Sequence, residues 1–162
     1  MTISVGDKVP SATLLRSGEN GYESFDFGEE IAGKHVVIFG VPGAYTATCT
    51  QAHMPSFVRT HDDFMQKGIE AIYCIAVNDI QVLSHWADAT GARAAGIHVV
   101  SDWNSEWTKA AGLEFSAPAV GFIDRCQRCA MIVNNGMVEV MQMETERGVC
   151  NMTAGETLLE LV

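Results

Sequence analysis

The fold turns on His35-Val36-Val37-Ile38-Phe39-Gly40 and, after Val41, on Pro42-Gly43-Ala44-Tyr45-Thr46-Ala47-Thr48-Cys49. The first run is short, β-branched and nearly all apolar, the composition of a central strand buried on both faces of an α/β sheet. Pro42 and Gly43 end it. Thr48 and Gln51 stand at capping-box spacing, so the Thr48 hydroxyl can accept from a first-turn amide while Gln51 reaches back to the Thr48 N–H. That spacing predicts Cys49 as the first helical residue. There its sulfur lies near unpaired amides and the positive end of the helix dipole, which favour thiolate over thiol. Most cysteines are buried and inert, so the capping box alone assigns no role.

Outward from this stretch, the 162 residues fit one domain, 1–162, with 48% hydrophobic residues to fill a core. Net charge is −10, and Lys and Arg are scattered singly, which argues against a nucleic-acid or anionic-membrane surface. The first ten residues have neither a basic nor an apolar leader region, and no later stretch has membrane-spanning length, so the expected location is cytoplasmic. Five cysteines, an odd number spread over the chain, suit metal or redox chemistry better than a secretory disulfide framework. Asn151-Met152-Thr153 matches a glycosylation sequon and Asp26-Phe27-Gly28 a kinase magnesium triplet. Neither has the context it needs.

Taken in order, turn residues Ser17 to Gly21 between Ala12–Leu15 and Tyr22–Phe27 predict a β-hairpin. After Cys49, apolar positions through Met65 continue a helical pattern to Gly68, with Pro55 expected to kink or restart the helix. Ile69 to Val77 reads as a strand, Asn78-Asp79 as the start of a helix through Trp86, Ile97 to Ser101 as a strand, and Asn104 to Ala111 as a helix ended by Gly112. This βαβα pattern implies parallel pairing with right-handed crossovers. Two alternating runs, 130–133 and 137–141, flank Asn134-Asn135-Gly136 as a second hairpin. Thr153 to Leu161 closes the chain as an amphipathic helix, with Leu158, Leu159 and Leu161 inward. The order of elements is that of a thioredoxin-like α/β fold: a mixed central sheet, flanking helices and an N-terminal β-hairpin extension.

With these elements placed, Pro42-Gly43-Ala44-Tyr45-Thr46-Ala47-Thr48-Cys49 resembles the Pro-x-x-x-Thr-x-x-Cys motif of peroxiredoxins, and Cys49 to Phe57 resembles their type II (peroxiredoxin 5) subgroup. The resemblance extends to Gly6–Pro10, Ala76–Asp79, Trp86, Gly112-Leu113 and the Arg-x-x-Arg pattern of Arg125 and Arg128. It implies a thiol peroxidase with no metal, haem or flavin. Cys49 would attack hydrogen peroxide or an alkyl hydroperoxide and become a sulfenic acid. Thr46 would hydrogen-bond peroxide and thiolate, Pro42 would shield the sulfur, and Arg128 would supply a cation to thiolate and leaving oxygen. Gly43 and His53 would support the site. His53, four residues after Cys49, shares its helical face, and a packing role is as good an account of it as a catalytic one. Many members carry proline where this chain has Ala47, which leaves the turn one rigid residue short. In isolation Pro42, Thr46 and Arg128 are ordinary turn, loop and strand residues; the joint match gives them roles.

A second thiol must resolve the sulfenic acid. The resemblance offers Cys74 first, at the spacing of plant-like members, and Cys150 second, near the position used by animal members. Direct reduction of Cys49 by an external thiol is the alternative. A strand-bound Cys74 would have to move to reach disulfide geometry. Cys126-Gln127-Arg128-Cys129 is a C-x-x-C by letters, but no second ligand pair accompanies it for zinc, and residues three apart on one strand face opposite ways, so both cysteines read as filler. The expected partners are a peroxide, a reductant of the glutathione–glutaredoxin or thioredoxin systems, and a second copy in a homodimer. The rival expectation is a redox-sensing protein switched by Cys49 oxidation.

Overall fold

The computed structural model describes residues 1–162. Seven strands form one sheet: β1 (Thr13–Gly18), β2 (Gly21–Asp26), β3 (His35–Val41), β4 (Ala71–Ala76), β5 (His98–Ser101), β8 (Cys129–Asn134) and β9 (Met137–Met143), in the order β2-β1-β5-β4-β3-β8-β9. The strands β3, β4 and β5 run parallel, and β8 enters antiparallel beside β3, with Gly40 opposite Cys129. Because β3 and β4 are central, both of their faces are covered, and six of seven and six of six residues respectively are buried. Alternation along β3 separates two cores. Val36 and Ile38 face one with Tyr73, Trp107 and Met131, and Val37, Phe39 and Val41 face the other with Phe57, Leu83 and Trp86.

Helix α1 (Phe27–Ile31) and helix α5 (Glu106–Ala110) cover the first face; α2 (Met54–Gln66), α3 (Ile80–Ala89), the short α4 (Ala92–Ala95) and α6 (Gly155–Leu159) cover the second. Both hairpins form as the sequence predicts. Gly18 pairs with Gly21, and Asn135 and Gly136 take φ of 48° and 78°, the left-handed pair that a tight two-residue hairpin requires. Asp79 caps α3 by accepting from the Val82 N–H.

Several expectations change. The helix after the Pro42 turn begins at Ala47, and the Thr50 N–H already bonds the Thr46 carbonyl, so the Thr48–Gln51 capping box does not form. The Thr48 hydroxyl donates instead to the Gly148 carbonyl at 2.9 Å. Leu161 is exposed because α6 ends at Leu159, leaving Leu158 as its buried anchor. Between α5 and β8 the chain makes a separate two-stranded sheet, β6 (Glu114–Ala117) with β7 (Phe122–Cys126), where the sequence pattern gave no alternation to read. As a result Cys126 ends one strand and Cys129 begins another. The chain turns between them, and both side chains fall on the first face of the main sheet rather than on opposite faces.

Candidate active site

Cys49 lies in the first turn of the helix that follows β3, its N–H ahead of the first intrahelical bond. That helix does not start as a regular α-helix. Cys49–His53 is a π-turn, closed by the Met54 N–H on the Cys49 carbonyl. Pro55 explains it: proline has no N–H to return to Gln51, so the turn widens by one residue before α2 continues. The widened turn presents Cys49 and His53, both fully buried, to the same guanidinium.

That guanidinium belongs to Arg128, which is 9% exposed and projects from the loop between β7 and β8. Its Nη2 donates to the Cys49 sulfur at 3.2 Å and its Nη1 to His53 Nδ1 at 2.9 Å. His53 Nε2 donates to the Thr153 carbonyl at 3.0 Å, which fixes the ring as the neutral tautomer with Nδ1 as acceptor. Packed against Phe39 and Phe57, the ring titrates at about 3, lowered first by burial and then by the Arg128 charge. His53 therefore orients Arg128 and carries no proton to the sulfur.

The loop is held from several sides. Thr46 Oγ1 donates to the Gly43 carbonyl at 2.7 Å, which leaves its oxygen lone pairs as an acceptor at the cleft. Arg125 Nη1 donates to the Pro42 carbonyl at 2.9 Å and lies so close to Gly43 that a Cβ there would meet it at 2.5 Å. Gly43 is the residue that lets this arginine through. Asn78 accepts from the Ala44 N–H. Tyr45, an exposed side chain, takes φ of 63° inside the turn. Pro42, Thr46, Ala47, Thr48 and Arg128 line a cleft of about 550 Å³ together with Phe115, Val120, Phe122 and Met143.

Sequence reasoning missed a support behind His53. Glu144 Oε1 accepts from the Asn151 N–H, the Thr153 N–H and the Thr153 hydroxyl at 2.7, 2.9 and 2.7 Å. Burial raises this carboxyl, but the bonds from Thr153 and Asn151 outweigh it and hold the group below the usual carboxylate range. A chain of contacts thus runs from Glu144 through Thr153, His53 and Arg128 to the sulfur. The only local sign was Thr153 itself, read as the start of a helix.

All five cysteines are free. Cys74 sits in the middle of β4, fully buried between Phe39 and Val99, and burial pushes its thiol well above the ordinary value, with Cys49 adding to the shift. Cys150 is half-buried in the loop that Glu144 organises, 3.8 Å from the Thr153 hydroxyl, and burial raises it too. No cluster of His, Cys, Asp or Glu has the makings of a metal site, and no helix is long and apolar enough to cross a membrane.

A buried sulfur under a fixed guanidinium, beside an apolar cleft with a hydroxyl acceptor, can stabilise negative charge on sulfur and on an oxygen leaving it. The redoxin family model matches residues 4–155. The chain is 36% identical over 163 residues to a chloroplastic peroxiredoxin-2E-2 of Oryza sativa subsp. japonica, covering 98% of this chain and 72% of that one. To peroxiredoxin-2C of Arabidopsis thaliana it is 34% identical over 159 residues, covering 98% and 97%. Reduced Prx3 of Vibrio vulnificus, solved in complex with hydrogen peroxide, superposes with a TM-score of 0.92 at 35% identity, covering 99% of each chain. By sequence and fold alike, the chain belongs to the redoxin family as a type II peroxiredoxin, a thiol peroxidase.

Proposed function

We propose that this thiol peroxidase reduces hydrogen peroxide and alkyl hydroperoxides at Cys49 and resets through Cys150. The observation that carries the first half is the Arg128 guanidinium held on the Cys49 sulfur by a neutral His53. The thiolate attacks the distal peroxide oxygen, the O–O bond breaks, and the leaving oxygen departs as water or alcohol after taking a proton. Arg128 and the Cys49 N–H hold the charge that develops on oxygen, and Thr46 Oγ1 accepts the hydrogen of the peroxide. Pro42 closes the water side of the sulfur. The apolar wall of Phe115, Val120 and Phe122 suits an alkyl tail. The Cys49→Ser variant is expected to lose turnover with both peroxides in a coupled assay; turnover retained in that variant would sink the proposal.

For resolution the surroundings favour Cys150 over Cys74. Cys74 is locked by ladder pairing on both sides. Cys150 lies in the 144–153 loop, which touches the active-site helix through Gly148 and Thr153. Its sulfur attacks the sulfenic sulfur of Cys49, an S–S bond forms, the S–O bond breaks and water leaves. A glutathione–glutaredoxin or thioredoxin donor then reduces that disulfide. After one equivalent of peroxide, intact-mass and peptide analysis is expected to find a Cys49–Cys150 link in the parent and an oxidised, unlinked Cys49 in Cys150→Ser. A Cys49–Cys74 link in the parent would transfer the role to Cys74.

A homodimer pairing through the active-site edge is supported by exposed Val120, which lines the cleft, and by exposed Tyr45 and Ile123, each next in sequence to a residue that lines it. Five free thiols support a reducing compartment, in keeping with a cytoplasmic location.

A further inference from the structure

Cys126 and Cys129 have no part in the mechanism above, yet their placement is specific. Both are fully buried, on the sheet face opposite Cys49. Their sulfurs converge on the bare Cα of Gly40: a Cβ built there would meet Cys126 Sγ at 2.7 Å and Cys129 Sγ at 3.0 Å. The space is available only because residue 40 has no side chain. The two-residue loop between the cysteines turns the chain from β7 into β8, so neither sulfur is held apart by strand geometry.

Their chemistry is also divided between them. The Cys126 thiol has a carbonyl acceptor in Gln127 at 3.3 Å, and its contact with Cys129, followed by burial, keeps it protonated. Cys129 is displaced the other way, chiefly by that same contact, with the Gly40 amide and Arg128 adding to it. Against its burial, Cys129 is thus the more readily ionised sulfur of the pair and Cys126 the one that keeps its proton, a division of roles that suits a dithiol.

We propose that Cys126 and Cys129 are a second redox site, a buried dithiol that a small hydroperoxide closes to an intramolecular disulfide. The Cys129 thiolate attacks a peroxide oxygen, the O–O bond breaks, and the leaving oxygen takes the Cys126 proton to depart as alcohol, or as water from hydrogen peroxide. The Cys126 thiolate so formed attacks the Cys129 sulfenic sulfur, the S–S bond forms, and the S–O bond breaks. The hydroxide released takes up the proton that Cys129 had lost, giving water. The two thiols lose two electrons and two protons, and the peroxide receives both. Zinc has no further ligands here, so the pair is left to redox chemistry.

The test uses the full chain with Cys49→Ser, which removes the peroxidatic sulfur and keeps the outcome independent of the Cys49 mechanism. Hydrogen peroxide is added, the protein is denatured, and remaining thiols are alkylated and counted by mass spectrometry. The expected result is two fewer alkylated thiols, an unalkylated mass lower by two hydrogens, and a non-reduced peptide closed between Cys126 and Cys129. Adding Gly40→Ala is expected to slow closure at least tenfold by filling the space between the sulfurs. Four alkylated thiols after an exposure that fully oxidises a free dithiol peptide, or a link involving Cys74 or Cys150 instead, would overturn the proposal. Because the mapping in Cys49→Ser alters neither cysteine of the pair nor Gly40, it does not depend on a substitution at the proposed dithiol being tolerated.

Discussion

At the residue scale, the behaviour of the site rests on the charge of His53. Its ring titrates at about 3 in the folded chain against an ordinary 6.5, so the unfolded chain takes up a proton that the folded chain refuses. Stability from this residue is complete above pH 6.5 and falls as pH drops through the window between the two values, at a slope approaching 1.4 kcal/mol per pH unit. Burial lowers His98 in the same direction, so urea unfolding of the parent must be compared with His53→Gln to isolate the His53 share. The variant is expected to lose part of the pH dependence. In activity, His53→Ala frees Arg128 from its acceptor, and an approximately tenfold fall in kcat/KM is expected, a barrier change of about 1.4 kcal/mol. The number of ionisations in the pH–rate profile should be unchanged, because His53 donates no proton in the reaction; loss of one of them would restore it as a catalytic acid or base.

At the element scale, the active-site helix starts at Ala47, the first helical position, where proline fits best because the N–H there has no partner to lose. Thr46 lies outside the helix and can take the extended backbone that a following proline demands. Ala47→Pro is therefore expected to stabilise the chain by about 0.4–1 kcal/mol in chemical denaturation, with peroxidase kcat unchanged. A lost or halved rate would show that the turn needs its freedom. The same element shows what the sequence could and could not give. The strand, the turn and the position of Cys49 near a helix start were legible from the apolar run and Pro42-Gly43. The true start was not, since Thr48-x-x-Gln51 has capping letters while its hydroxyl is taken by Gly148, distant in sequence. The π-turn follows from Pro55 in hindsight, but a proline signals only that a helix is disturbed. Arg128, Arg125 and Asn78 were visible through family resemblance, but the contacts of Arg125 and Asn78 with backbone groups of the turn left no spacing to read, and Glu144 gave no sign of its own. The Cys126–Cys129 pair was misplaced because β6 and β7 have no hydrophobic alternation, which hid the turn between the two cysteines.

At the scale of the whole molecule, the N-terminal ten residues lace the far end of the first core together. Ile3 N–H bonds the Ala111 carbonyl, Gly6 and Val9 bond Val138 and Gly136, and Ile3 and Val9 are buried. Gly112 makes this possible. Its φ is 69°, and a Cβ would meet the Met1 carbonyl oxygen at 2.1 Å, a backbone atom with no flexible end to yield. Gly112→Ala is expected to cost about 1–3 kcal/mol of stability by thermal or urea unfolding, through overpacking and a strained left-handed residue. Peroxidase activity of the folded fraction should be unchanged, because the substitution lies on the sheet face away from Cys49. A neutral effect on stability would mean that the N-terminal segment is not seated as described.

The isolation of Arg128 has an electrical consequence for each turnover. The guanidinium is almost wholly buried, its neighbours are a neutral imidazole and a sulfur, and no carboxylate forms an ion pair with it. While Cys49 is a thiolate the two charges cancel. Once the sulfur becomes a neutral sulfenic acid, Arg128 is a buried cation with no counter-charge, a state costing several kcal/mol in a protein interior. In electrostatic terms the oxidised site is thereby less well balanced than the reduced one. The proposed oxidation removes one electrostatic restraint on the helical turn that carries Cys49.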